Sequence, residues 1–285
     1  MKKLIFAFVF AALAFTAPAQ AETTNCTAIP TLPYTISTQG VYCLTAHLST
    51  NSTSGNAITI NTSNVILDLN GFKLGGLAAG LGTTANGIFA AQRQNITIKN
   101  GTVRGFYRGI FLDDAPPYTT SQGHVIEDIR ADQNTLSAIR IYGNGNIIRN
   151  NQVVATGGTT VNGANTNAYG ITAYGPGSRV LNNDVTDVAA QGTSWAFGID
   201  LYVGSGSSSV VAGNRVDNLT SPGGSRNGIY LTGGGDNSVK DNILSGTQYG
   251  IYFASPATGV YMNNLVRGAS FPYTGGTAAG TTNFP

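Results

Sequence analysis

An isoleucine returns along the chain at near-regular intervals: Ile58, Ile88, Ile110, Ile139, Ile171, Ile199, Ile229 and Ile251, with steps of 30, 22, 29, 32, 28, 30 and 22 residues. Two positions after each stands Ile60, Ala90, Leu112, Ile141, Ala173, Leu201, Leu231 or Phe253, apolar in every case. Apolar residues at i and i+2 mark a short strand with one buried face. A second column follows 12 to 18 residues behind the first: Gly71, Gly101, Asp128, Asn151, Asn183, Asn214, Asn242 and Asn264. Asn70 and Asn100 stand one place earlier in the two coils that carry glycine here. Asn and Gly accept the left-handed conformation of a tight bend, and a stacked Asn amide can bond the next coil. A unit of this size cannot bury its apolar row alone, so the units must stack. The chain is expected to be an all-β solenoid of about eight coils.

The stretch from Ile58 to Leu74 (Ile-Thr-Ile-Asn, then Val-Ile-Leu-Asp-Leu-Asn-Gly-Phe-Lys-Leu), the Asn95–Val103 segment Asn-Ile-Thr-Ile-Lys-Asn-Gly-Thr-Val and the Asn turns resemble one known group. They are similar to the single-stranded right-handed parallel β-helix proteins of the pectin-lyase-like superfamily, over roughly residues 40 to 270. The resemblance implies the fold and an extended polysaccharide partner, lying in a cleft on the outward face of the isoleucine strand. It implies no single activity, since this fold hosts lyases, hydrolases, esterases, epimerases and adhesins. The acidic doublet followed one coil later by Gly-His-Gly, known from polygalacturonases, is missing. So are the Arg-x-x-Pro-x-x-Arg of pectate lyases and the Asp-Pro-His-Asp of mannuronan epimerases.

Residues 1–21 read as a secretory leader, with Lys2-Lys3, an apolar run from Leu4 to Phe15 and a small-residue end at Ala19-Gln-Ala21. The run is too short to span a bilayer, and no other segment is long and apolar enough. Export to the periplasm or outside the cell is the expected destination. Without Lys2 and Lys3, the remaining 13 basic residues balance 13 acidic ones and are scattered. That distribution argues against a nucleic-acid partner, which calls for a basic stripe. Cys26 and Cys43 are the only cysteines, an even pair expected to form a disulfide in an oxidising compartment. No metal set can be built from them and the two distant histidines, His47 and His124. No cofactor is called for, and no Ca²⁺ site is indicated.

Residues 22–54 are expected to form an N-terminal cap, 55–270 the β-helix, and 271–285 a cap or tail. Insertions at about 154–168, 186–196 and 217–226 fall in consecutive coils and should stack into one wall. Residues 113–123 insert once on the other edge of the isoleucine strand. Solenoids place such insertions on a working face.

Alternation then names the outward residues of that strand. One place after the isoleucines come Phe89, Phe111, Arg140, Thr172, Asp200, Tyr230 and Tyr252; three places after come Asp113, Tyr142, Tyr174 and Tyr202. Three tyrosines on successive coils, with Tyr230 beside them, suit the apolar faces of sugar rings or simply stabilise neighbouring coils. Arg140 suits a uronate carboxylate or sulfate, or else pairs with Asp113 at the surface. Asp200 stands alone, a solvated carboxylate or an acid/base. Asp113-Asp114 precede Pro116-Pro117 and suit a turn as well as catalysis. Asp113 and Asp200 lie three coils apart, about 14 Å, whereas paired glycosidase carboxyls lie about 5 to 9.5 Å apart. Asp200, Arg140 and Asp113 are the candidate catalytic residues of a polysaccharide lyase or hydrolase. The rival is a non-catalytic carbohydrate-binding or surface protein of the same fold; ice binding is disfavoured by the mixed outward columns.

Overall fold

Each isoleucine of the repeat pairs with the next. In the computed structural model, which describes residues 25–204 and 208–285, Ile58 lies against Ile88, Ile88 against Ile110, and so on without a slip to Ile251. All these pairings are parallel, and together with flanking strands they build a ten-stranded sheet from Tyr34–Ile36 to Phe271–Thr274. The isoleucines and the apolar residues two places on are buried in the hollow of the coil. Each such side chain contributes about 1.5–3 kcal/mol by leaving water. A register slip of one residue would turn the whole row outward.

The other two faces of the coil form one 18-stranded sheet. They are joined because Ile96–Arg104 and Val125–Asp132 run unbroken across both faces. The described residues otherwise hold one 3₁₀ turn, Leu77–Ala79, and no helix long and apolar enough to cross a membrane. The segment expected as a cap carries strands of the stack: Tyr34–Ile36 pairs with Asn56–Ile60, and Gly40–Leu44 with Val65–Asp68. Thr27–Ile29 closes this end on Gly40–Leu44, where Cys26 and Cys43 are bonded with Cα atoms 5.8 Å apart. At the other end Phe271–Thr274 and Thr277–Ala278 also pair into the stack. The expected leader, residues 1–21, lies outside the described residues.

The asparagine column separates into two neighbouring columns with different work. Asn70, Asn100, Asp128, Asn150, Asn182, Asp241 and Asn263 make the bend, with φ between 50° and 60°. The next residue turns inward and, from coil four onward, is the buried asparagine. Asp128 was expected in the ladder and instead belongs to the bend. Arg130 pairs with Gln152, so Ile129 faces Asn151 and its N–H donates to the Asn151 Oδ1 at 3.0 Å.

From there the ladder is continuous. The backbone N–H and side-chain amide of Asn151 both donate to Asn183 Oδ1, at 3.0 and 2.9 Å. Asn183 treats Asn214 in the same way, Asn214 treats Asn242, and Asn242 treats Asn264. Each amide also donates to a backbone carbonyl of the preceding coil, as Asn183 does to Ile148 O at 3.0 Å. Every hydrogen-bonding group of these side-chain amides is thereby used, which is what their burial demands.

His124 fills a comparable turn position. The Ile96 N–H donates to its Nδ1 at 3.2 Å, Nε2 lies 2.8 Å from Ser121 Oγ, and burial pushes its pKa down to about 4. It is a neutral structural residue.

Removing one rung should be costly. Asn183→Ala leaves two buried donors of Asn151 without an acceptor, at about 1–3 kcal/mol each. Denaturant unfolding followed by circular dichroism should show a loss on the order of 2–4 kcal/mol; a loss within error would mean the ladder does not hold the coils.

Candidate functional site

The insertions stack into a wall along one edge of the ten-stranded sheet. Asn165 Oδ1 accepts from the Thr193 N–H at 2.9 Å, and Asn167 Oδ1 from the Trp195 N–H at 2.8 Å. The Ser221 hydroxyl donates to Ser194 O, and the Gly223 N–H to Gly192 O. On the opposite edge the single coil-three insertion is pinned by Asp114, whose carboxylate accepts from the N–H groups of Ala115, Thr120 and Ser121. The acidic doublet thus divides: Asp114 shapes the loop, and Asp113 stays half-buried on the floor. The loop carries Tyr118 across the floor, its ring centroid 5.3 Å from Tyr142 and 6.2 Å from Tyr202.

Between these edges the floor is aromatic and cationic. Tyr142 and Tyr174 meet edge to face at 5.1 Å, and Tyr174 and Tyr202 lie 5.6 Å apart at 52°. The expected tyrosine strip is therefore continuous but corrugated. Arg140 points into it, its guanidinium carbon 5.4, 5.3 and 5.8 Å from the ring centroids of Tyr142, Tyr169 and Tyr174. Its Nε donates to the Tyr142 hydroxyl at 2.9 Å.

A second guanidinium sits beside it. Arg108 lies two places before Ile110, in register with Ser137 and, one coil further, Tyr169. Its charge rests over Tyr107 and Phe111 at 4.8 and 4.6 Å. Burial and then the nearby Arg140 lower its pKa. Among the described residues neither arginine forms an ion pair. The expected surface pairing of Arg140 with Asp113 is not made. The two arginines, Tyr107 and Tyr169, with Asn162, Asn165 and Asn167 of the wall, line a cleft of about 350 Å³.

Asp200 is not a solvated carboxylate. It is 2% exposed, although its strand position faces outward, because neighbouring side chains on the floor close over it. The Tyr174 hydroxyl donates to its Oδ2 at 3.0 Å. Burial raises its pKa to about 7, against the opposing pull of the Tyr174 hydrogen bond and the Arg140 charge. Burial, then the Asp200 charge, drives the Tyr174 phenol well above its ordinary value, so it stays protonated. Thr172, between Arg140 and Asp200 in register, is fully buried and its hydroxyl has no protein partner. Asp113 remains three coils from Asp200, half-buried, with its pKa raised by burial.

Arg140, Tyr142, Tyr174 and Asp200 thus come together in one cluster with Tyr202 at its edge, while Tyr230 stands further along the floor. Arg108, Tyr118 and Tyr169 were not singled out from the sequence. Arg108 and Tyr169 share a third outward column, two places before the isoleucines, that the repeat itself marks. Nothing periodic marks Tyr118.

Two buried groups give opposite pH dependences. The folded-state pKa of Asp200 lies above the usual 3.8, so its contribution to stability falls as pH rises from about 4 to about 7. That of His124 lies below 6.5, so its contribution rises with pH from about 4 to about 6.5. The two slopes largely offset in the intact protein. Asp200→Asn removes the falling one, so its unfolding free energy relative to wild type should climb between about pH 4 and 7 and then level off. The climb should be on the order of 4 kcal/mol. A pH-independent difference would mean that Asp200 titrates normally.

The comparisons add a family likeness on the later coils. A family model described as "NosD: Periplasmic copper-binding protein (NosD)" matches residues 168–276, just over a third of the chain. No curated protein matches. Among solved structures, the A-module of the mannuronan C-5 epimerase AlgE4 from Azotobacter vinelandii is 12% identical with a TM-score of 0.44, over 84% of this chain and 83% of that one. The Dettilon tailspike protein is 14% identical with a TM-score of 0.44, over 90% and 62%. An alginate lyase from Paenibacillus sp. str. FPU-7 is 14% identical with a TM-score of 0.29, over 80% and 92%. At this level of similarity no activity, substrate or residue carries across.

Copper in the family's description can be tested on the residues. Copper favours imidazole, thiolate and thioether ligands. The matched span has no histidine and no cysteine, and a single methionine, Met262, which cannot make a site alone. Elsewhere His124 and His47 spend Nδ1 on backbone N–H groups, and both cysteines are bonded to each other. Among the described residues no three His, Cys, Asp or Glu side chains gather as a metal set. These residues do not fit a copper site. The unbroken parallel stacking and its buried asparagine ladder make the chain a right-handed parallel β-helix, and its later coils are similar to the NosD family.

Proposed function

We propose that this is an exported protein that binds an extended acidic polysaccharide along coils three to seven. The observation that carries the reading is the pair of neighbouring guanidiniums, Arg108 and Arg140, partly buried and without a carboxylate partner among the described residues. Two like charges held together away from water raise the free energy of the empty cleft, and an anion placed between them lowers it. A planar guanidinium suits a carboxylate, and the amides of Asn162, Asn165 and Asn167 suit sugar hydroxyls. The tyrosine edges supply apolar surface for the rings. The Cys26–Cys43 bond agrees with an oxidising compartment.

Chain cleavage, on this reading, is elimination rather than hydrolysis. Asp113 and Asp200 are too far apart for a glycosidase pair, at about 14 Å. Elimination needs the uronate carboxylate neutralised and the proton beside it removed. Arg140 serves the first need. Tyr174 takes the proton as its own passes to Asp200, which near neutrality is partly ionised and able to accept it. The C–H electron pair becomes the double bond and expels the glycosidic oxygen, which takes a proton from solvent. Asp200 is buried beneath the floor and acts through Tyr174. That same burial favours a second reading, a non-catalytic carbohydrate-binding or cell-surface protein.

Purified mature protein should be incubated with polyuronates and neutral polysaccharides, following both unsaturated-product absorbance and reducing ends. Rising absorbance with polyuronate alone supports elimination, and binding without product supports the second reading. Arg140→Gln should weaken polyuronate affinity about tenfold or more, and Tyr174→Phe should abolish product while leaving binding. Unchanged polyuronate affinity in Arg140→Gln would overturn the acidic assignment.

A further inference from the structure

Beyond the arginine cleft the floor changes character. Trp195 in the wall is 40% exposed and lies 6.2 Å from Tyr230, and Phe197 lies 5.2 Å from Tyr230. The rings continue through Tyr252, 5.3 Å from Tyr230, to Tyr249, which stacks on Phe271 at 4.8 Å and 15°. Phe271 is 48% exposed. The outward columns of coils seven, eight and the following strand carry Asn, Tyr, Thr, Ala and Phe side chains, and the one charge on these strands is Arg226 at the start of the coil-seven strand. This aromatic run is continuous with the cleft, because Tyr169, which faces Arg140, stacks on Phe197 at 5.1 Å and 3°.

A second observation belongs to the same place. Asn227 lies between Phe197 and Tyr249 in register and is 1% exposed, and neither its amide oxygen nor its nitrogen has a protein partner. In the ladder on the far side of the coil, every buried asparagine amide is bonded. An unmatched amide among rings is costly for packing alone and useful for a ligand that brings hydroxyls with its apolar faces.

We propose that Trp195, Tyr230, Tyr252, Tyr249 and Phe271, with Asn227 among them, form a second subsite for uncharged sugar rings. This rests on the reading of the floor as a glycan cleft, and it makes the ligand a mixed one: an acidic residue at Arg108 and Arg140, followed toward the last coils by neutral sugars. Arg140 and Tyr252 are four coils apart, roughly 19 Å, so one oligosaccharide of several rings reaches both.

Trp195 is the single tryptophan of the chain, so its fluorescence reports this subsite directly. The full mature protein should be titrated with a panel of neutral hexasaccharides (glucan, mannan, galactan and xylan types) and with hexagalacturonate. At least one neutral member should shift Trp195 emission in a saturable way, and raising the salt should leave its affinity unchanged. Tyr252→Ala and Phe271→Ala, both checked for folding by circular dichroism, should each weaken that response about fivefold to tenfold. No Trp195 response to any neutral member, or an unaltered affinity in both variants, overturns the subsite. Hexagalacturonate binding by calorimetry separates the two readings. If it depends on Arg140 while Trp195 stays silent, the acidic cleft stands and the second subsite falls. A neutral response without any hexagalacturonate binding leaves the subsite standing and removes the acidic cleft.

Discussion

A single coil of this protein has an apolar row and a set of backbone polar groups that it cannot satisfy alone. Everything else depends on the answer to that problem, which is parallel stacking in strict register. The neighbour above buries the isoleucine row and accepts the backbone donors, and the neighbour below does the same. The asparagine ladder makes the register specific. A buried amide with four bonds to adjacent coils tolerates no slip, because a slip would leave donors in an apolar core without acceptors.

Strict register has a consequence on the outer face. Because equivalent residues lie above one another, any functional side chain is held beside its counterparts in the coils on either side. This sets Arg140 beside Phe111 of the preceding coil, over which Arg108 rests, and against Tyr169 of the next. It also makes the floor rigid, so a charge cannot swing away to water to find a partner. Glycine lets the chain pack this closely: a Cβ at Gly198 would lie 2.4 Å from Val216 Cγ1 and 2.7 Å from Gly228 O. The neighbouring outward residue, Phe197, is thereby held against Tyr169 and Tyr230.

The insertions break the regularity and supply what the repeat lacks. The wall provides amides, and the coil-three loop lays Tyr118 over the floor. Asp200 shows how the two layers combine. The repeat points it outward, neighbouring floor side chains cover it, and the loss of water then raises its pKa to about 7. On this face Arg108 and Arg140 have no carboxylate partner among the described residues, and the Thr172 hydroxyl and the Asn227 amide are unbonded. Buried unbonded groups such as the Thr156 and Ser209 hydroxyls also occur on the other sheet side. On the ladder side the buried asparagine amides are satisfied.

The sequence by itself determined the fold class, the isoleucine register and the pairing of Cys26 with Cys43. Each of these follows from a pattern that repeats or from a choice with one solution. It also named Arg140, Tyr142, Tyr174 and Tyr202, because alternation tells which face of a strand a residue lies on. Alternation does not tell depth. Only the tertiary structure decided that Asp200 is buried, that Asp128 makes a bend rather than a rung, and that Arg140 finds Arg108 and three tyrosines instead of Asp113. Those outcomes depend on how far loops of irregular length reach and on which side chains fold over their neighbours. No period in the chain encodes either.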